Sequence, residues 1–123
     1  MEKKILVVDD DPKICELLER FLIKKDFQPT IATSGKEALE KVKAENPAIV
    51  LLDIKMPDMD GINILKKIKE TNERTAVIMI TGLKDEEIAK EAMASGAYDY
   101  ITKPFDLDYL EMCLLTKIIQ LTA

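Results

Sequence analysis

The residues best equipped for chemistry stand at the ends of short apolar runs. Asp9, Asp10 and Asp11 follow ILVV, Asp53 follows IVLL, Thr81 closes VIMIT and Lys103 follows YDYIT. Carboxylates gathered in one concave site repel one another, so at neutral pH either one is protonated or a cation binds. Oxygen ligands without histidine favour a hard cation. A few carboxylates plus water suit Mg2+, which takes phosphate as a co-ligand. Lys103 adds a positive charge and Thr81 a neutral donor. A nucleophilic oxygen, a metal, a lysine and a hydroxyl are the parts that phosphoryl transfer requires. Asp53 is the best nucleophile candidate, because it stands alone at the end of the central strand. Singly, each residue has an ordinary reading: Asp11 before Pro12 as a helix cap, Thr81 as a turn residue, Lys103 as a solvated charge. Their joint placement singles them out.

The elements that must position them are legible as alternating patterns. Strands are expected at Ile5–Asp9, Gln28–Ala32, Ile49–Asp53, Val77–Thr81 and Tyr98–Thr102. The first, third and fourth are apolar without alternation, as in central parallel strands covered on both faces. The second is more polar and carries Pro29, which marks an edge. Ile14, Leu17, Leu18, Phe21 and Leu22 form the stripe of an amphipathic helix. Ser34 and Glu37 make a capping-box pattern before Ala38, Leu39 and Val42. Ile62, Leu65 and Ile68 mark a third helix, Ile88, Ala89, Ala92 and Met93 a thinly apolar fourth, and a fifth runs from about Leu107 to Leu121. Such βα units imply an open α/β sheet with right-handed crossovers. The leading candidate is a flavodoxin-like, doubly wound (βα)5 three-layer sandwich with parallel strand order 2-1-3-4-5, whose sites lie at the carboxyl ends of the strands.

Composition narrows the function classes. The 123 residues fit one domain over 1–123, with 47% hydrophobic and 33% charged residues. A net charge of −5 without a Lys/Arg block is a poor match for a phosphate backbone, so direct nucleic-acid binding is not expected. The chain has no histidine, which removes imidazole zinc sites, Ser-His-Asp and Cys-His catalysis, and any phosphohistidine of its own. Cys15 and Cys113 show no CxxC spacing and read as small thiols in a reducing compartment. No apolar run approaches the length of a membrane helix, and the N-terminus is too polar for a signal peptide. A cytoplasmic location without membrane contact follows as the expectation.

The segments ILVVDDDP, LLDIKMPDMDG, MITG and YDYITKPF, in that order over essentially the whole chain, resemble the receiver domains of bacterial response regulators in two-component systems, the chemotaxis regulator type included. The resemblance implies that Asp53 is the phosphorylated aspartate, charged by a sensor histidine kinase or phosphotransfer protein in a Mg2+-dependent reaction. Asp10 would ligate Mg2+ directly, Asp9 mainly through water or hydrogen bonds, and Lys55 through its backbone carbonyl. Thr81 and Lys103 would each bond a phosphoryl oxygen, and Tyr100 takes the aromatic switch position. Lys103–Pro104 resembles the family's cis peptide, while Pro57 and Gly61 shape the loop after Asp53. Thr81 moving inward would make room for Tyr100 and re-shape the surface of the fourth helix, fifth strand and fifth helix. The ordinary reading of Tyr100 is a half-buried strand aromatic. The chain would then be a signalling domain that catalyses only its own phosphorylation and self-dephosphorylation. Leu83 cannot orient a water and Lys55 is no base while protonated, so slow self-dephosphorylation is expected.

The fifth helix adds an independent clue. Leu107, Leu110, Leu114, Ile118 and Leu121 share a core face. Met112, Leu115 and Ile119 fall on roughly the opposite side, spaced as a short a/d seam. A partner, a second copy of the chain or a downstream effector domain would use that seam; scattered surface hydrophobes are the ordinary alternative. The rival readings are weaker. Asp9 and Asp11 mimic the D-x-D of aspartate-nucleophile phosphatases, but that class needs more chain and leaves Asp53 unexplained. A flavodoxin would face repulsion between three carboxylates and the FMN phosphate, with no phosphate loop to compensate. A scaffold with a degenerate site does not account for the intact acidic set. The cognate kinase and the output stay open, as does the choice between a stand-alone receiver and the N-terminal piece of a larger regulator.

Overall fold

Runs of Ile, Leu and Val build the sheet. In the computed structural model, which describes residues 3–122, β1 (Lys4–Val8), β3 (Ile49–Leu52) and β4 (Ala76–Thr81) are buried almost throughout. Residues 1, 2 and 123 of the expected 1–123 domain lie outside the described residues. β2 (Gln28–Ala32), with Pro29, forms one edge and β5 (Asp99–Thr102) the other. All neighbouring strands pair in parallel, in the order β2-β1-β3-β4-β5, which is the flavodoxin-like order. β1 and β3 stop one residue earlier than expected, so Asp9 and Asp53 are the first residues beyond them. Each still donates its N–H across the sheet, Asp9 to the Ala32 carbonyl and Asp53 to the Val8 carbonyl, before the chain turns away. β4 gains Ala76, and β5 starts at Asp99 rather than Tyr98.

The helices start where short polar side chains cap them. Asp11 accepts from the Lys13 N–H ahead of α1 (Pro12–Lys24), and Ser34 accepts from the Glu37 N–H ahead of α2 (Gly35–Glu45). Glu37 returns its carboxylate to the Thr33 N–H at 2.8 Å, one residue before the donor that a capping box uses. Asp60 and Asp85 cap α3 (Gly61–Thr71) and α4 (Glu86–Ala94), and α5 (Leu107–Thr122) completes the chain of elements.

Alternation along the strands splits the core into two layers. Ile5 and Val7 of β1 face Leu18 and Leu22 of α1 and Leu110 and Leu114 of α5. Leu6 and Val8 face the opposite cluster, with Val42, Leu65 and Ile68. On α5, Leu107, Ile118 and Leu121 pack half-buried against the first cluster. Met112 and Ile119 are 63% and 67% exposed, and Leu115 is exposed with them. Leu17 and Met93, expected inward, are exposed. The buried stripe of α1 is narrower than its apolar stripe and runs through Cys15, Leu18 and Leu22, while α4 buries Ala92. Both cysteines are free and buried. Among the described residues no helix is long and apolar enough to cross a membrane.

Candidate functional site

Parallel pairing points every strand end at the same edge, so four strands deliver the chemistry there. Asp9 and Asp10 follow β1, Asp53 follows β3, Thr81 ends β4 and Lys103 follows β5. Asp9 and Asp53 are buried and Asp10 is exposed; one carboxylate oxygen from each lies within 4.8 Å of the others. Lys103 Nζ donates to Asp9 Oδ2 at 2.8 Å and to Asp53 Oδ2 at 3.2 Å. Asp9 Oδ1 accepts from the Asp11 N–H at 2.9 Å, and Asp53 Oδ1 from the Lys55 N–H at 3.3 Å. The Lys103–Pro104 peptide is cis, and the Lys103 N–H donates to the Thr81 carbonyl at 2.8 Å, which fixes the lysine backbone against the end of β4.

The electrostatics are unbalanced. Burial pushes the Asp9 carboxyl above its ordinary value, against the hydrogen bonds from Lys103 and the Asp11 N–H. Burial would lower Lys103, but its hydrogen bond to Asp9 and the charges of Asp53 and Asp9 hold it above the ordinary lysine value. Lys103 is therefore an ammonium at neutral pH, and one ammonium faces three carboxylates. The donor set fits a hard divalent cation: it is all oxygen, its three carboxylates converge to within 4.8 Å, and Lys103 leaves negative charge uncompensated. Lys55, expected to add its carbonyl, lies in a loop closed by an antiparallel bridge to Asp60 and by the Gly61 N–H bonding the Ile54 carbonyl at 2.8 Å. A Cβ on Gly61 would lie 2.4 Å from Ile54 Cα, so only glycine permits this closure.

Two further contacts shape this edge without any signal in the local sequence, one through the backbone of Leu83 and one through the Asp58 side chain. Leu83 donates its N–H to Thr81 Oγ1 at 3.3 Å and accepts from the Tyr100 hydroxyl at 2.7 Å, so it bridges the hydroxyl at the site and the half-buried tyrosine. Asp58 bonds the first two N–H groups of α2, across a separation of 23 and 22 residues. Asp11, by contrast, stays outside the carboxylate cluster: its side chain caps α1, so the Asp9/Asp11 pair of a phosphatase is not assembled. On the neighbouring face, Asp99 Oδ2 accepts from the Tyr109 hydroxyl at 2.7 Å and from the Cys113 thiol at 3.4 Å, which ties β5 to α5 next to Tyr100. A groove of about 410 Å³ lined by Tyr98, Asp99, Tyr109, Met112 and Cys113 opens there.

Comparison with known proteins follows the same line. Residues 5–114 match the family described as the response regulator receiver domain. The chain is 39% identical over 120 residues to the regulatory protein AtoC of Escherichia coli (strain K12), covering 98% of this chain and 26% of that protein. It is 42% identical over 108 residues to sporulation initiation phosphotransferase F of Bacillus subtilis (strain 168), covering 88% of this chain and 87% of that protein. The crystal structure of a CheY-like response regulator receiver domain protein from Methanospirillum hungatei JF-1 superposes with a TM-score of 0.92 at 32% identity, covering 99% of this chain and 98% of that one. The chain thus spans about a quarter of the length of the first of these relatives.

Proposed function

The chain belongs to the response regulator receiver domain family, and from that premise we propose that Asp53 accepts a phosphoryl group from the phosphohistidine of a sensor histidine kinase or phosphotransfer protein. The observation that carries this reading is Lys103 bridging Asp9 and Asp53 within a carboxylate cluster of surplus negative charge. An Asp53 carboxylate oxygen forms the new O–P bond, the P–N bond to the donor imidazole breaks, and its electron pair returns to the ring nitrogen. Asp10, Asp53 and the Lys55 carbonyl would hold Mg2+, with Asp9 acting mainly through water or hydrogen bonds, and the ion would neutralise charge on the phosphoryl oxygens. Lys103 needs little travel to pair with the product, since its ammonium already lies 3.2 Å from an Asp53 oxygen. Thr81 donates its hydroxyl proton to another phosphoryl oxygen.

The output follows from what Thr81 holds. Turning its hydroxyl toward the phosphoryl group weakens its hold on the Leu83 N–H, and the Leu83 carbonyl anchors Tyr100. Release at Leu83 shifts Tyr100, β5 and the α4 and α5 faces, a population shift driven by phosphate. Met112, Leu115 and Ile119 are the surface a second copy, an effector domain or another partner would use. Leu83 and Lys55, neither able to activate water, support slow self-dephosphorylation. The reading treats 1–123 as one receiver domain of cytoplasmic location that modifies only itself. The test is incubation with a small phosphodonor and Mg2+, followed by intact mass. A gain of one phosphoryl group that disappears in Asp53→Asn is expected; an unchanged gain in that variant overturns the assignment.

A further inference from the structure

The loop after Asp53 is pinned from outside by a residue that the chemistry above does not use. Asp58 Oδ1 accepts from the Gly35 N–H at 2.8 Å and Oδ2 from the Lys36 N–H at 3.1 Å. These are the first two residues of α2, whose donors point out of the helix and lack intrahelical partners. The local cap, Ser34, serves a different donor, the Glu37 N–H. Asp58 therefore completes a helix terminus from a neighbouring loop, and the two N–H groups hold its carboxyl below the ordinary range.

A second contact joins the same two segments. A Cβ on Gly35 would lie 2.9 Å from Met59 Sδ and 3.0 Å from Met59 Cβ, so the helix start and the loop tip touch without a gap. At its base the loop is closed by the Lys55–Asp60 bridge and the Gly61–Ile54 hydrogen bond. Base and tip are thus held by different parts of the fold: the base by the backbone leading into α3, the tip by α2. Lys55 lies within this doubly anchored loop, and its own amide is bonded to Asp53 Oδ1.

We propose that Asp58 is a positioning residue for cation binding: seating the loop tip on the N-terminus of α2 orders Lys55, whose backbone carbonyl the proposed function assigns to Mg2+. The inference rests on that reading of the site. Ordering a ligand-bearing loop before the ion arrives removes an entropic cost from binding. A residue that acts through the loop backbone has a smaller effect than the roughly 10–100-fold of a direct partner of a metal ligand.

The test is a Mg2+ titration of the unphosphorylated full chain followed by amide NMR shifts, in wild type, Asp58→Ala, Asp58→Asn and Ser34→Ala. Asp58→Ala raises the Mg2+ Kd by about three- to ten-fold. Asp58→Asn, which keeps one oxygen acceptor, falls between it and wild type. Ser34→Ala lowers Tm and leaves Kd alone. In phosphodonor assays Asp58→Ala shifts the half-saturating Mg2+ concentration upward while the rate at saturating Mg2+ is retained. A wild-type Kd in folded Asp58→Ala overturns the proposal, as does an equal loss in Ser34→Ala, which would reflect general loosening of α2. If Asp58→Ala does not fold, Asp58→Asn decides by the same criterion. A wild-type protein that binds no Mg2+ overturns the phospho-acceptor reading itself and this inference with it.

Discussion

Two buried threonines bracket β4, Thr75 just before it and Thr81 at its end, 1% and 0% exposed. Thr75 donates its hydroxyl to the Pro47 carbonyl at 3.1 Å, so its proton is committed to a neighbouring loop. Thr81 accepts from the Leu83 N–H at 3.3 Å, a contact that uses a lone pair and not the proton. The surroundings differ in the same sense. At the Thr75 edge, Asn46 and Asn72 bond each other through their side chains, the Arg74 N–H bonds Asn72, and Lys69 caps the carbonyls of Glu73 and Thr75. A pocket of about 120 Å³ lies there, lined without a single carboxylate side chain. At the Thr81 edge, charge is left uncompensated and a hydroxyl proton is available. One edge of the sheet commits its hydroxyl and amides to holding loops together; the other leaves negative charge and a hydroxyl proton uncommitted.

Replacing each threonine by valine tests that contrast most directly. Thr75→Val leaves the Pro47 carbonyl buried without its donor and is expected to cost about 1–3 kcal/mol in urea unfolding, with phosphoryl uptake intact. Thr81→Val loses only a long hydrogen bond and is expected to cost less than about 1 kcal/mol, while abolishing the proposed coupling between a phosphoryl group on Asp53 and Tyr100. Equal costs at the two positions would erase the distinction. Acid pH gives a second and smaller effect. Asp58 titrates below the ordinary value of 3.8 because the Gly35 and Lys36 N–H groups bond it. A lowered folded value adds stability above the unfolded value and loses it as pH falls through the folded one. The urea-midpoint gap between wild type and Asp58→Asn should be full near about pH 6, narrow as pH falls past the ordinary carboxylate value and close only below the lowered folded value. A gap that persists in acid would mean that the carboxylate charge does not hold the loop tip. Smallest in stability is Ile119→Glu on the exposed side of α5, within about 0.5 kcal/mol of wild type. Its readout is sedimentation with and without a phosphate mimic. A wild type that stays monomeric in both states excludes homodimerisation through Met112, Leu115 and Ile119.

The fold was legible because its signals are local. Unbroken apolar runs marked β1, β3 and β4, Pro29 marked an edge, and Asp11 and Ser34 marked helix starts. The parallel sheet and the gathering of Asp9, Asp10, Asp53, Thr81 and Lys103 at one edge followed from the alternation of strands and helices, while the strand order rested as much on the family resemblance. Leu17 and Met93 were misplaced because an apolar stripe can be wider than the face that the sheet covers. Asp58 gave no warning, since its partners are more than 20 residues away and its own segment reads as an ordinary turn. Leu83 was legible through its side chain, but its link between Thr81 and Tyr100 was not, because that link runs through backbone atoms that side-chain identity does not report.

The bridge made by Lys103 has a consequence for the order of events in synthesis. Its two partners lie 94 and 50 residues earlier in the chain. Contacts that distant form late, because the intervening loops must be closed before the contact rewards them. Both carboxylates are synthesised well before the lysine that is their counter-charge. The acidic pair gains its counter-charge only when the segment after β5 is in place, and a molecule truncated before that strand carries the acidic residues without the lysine that steadies them.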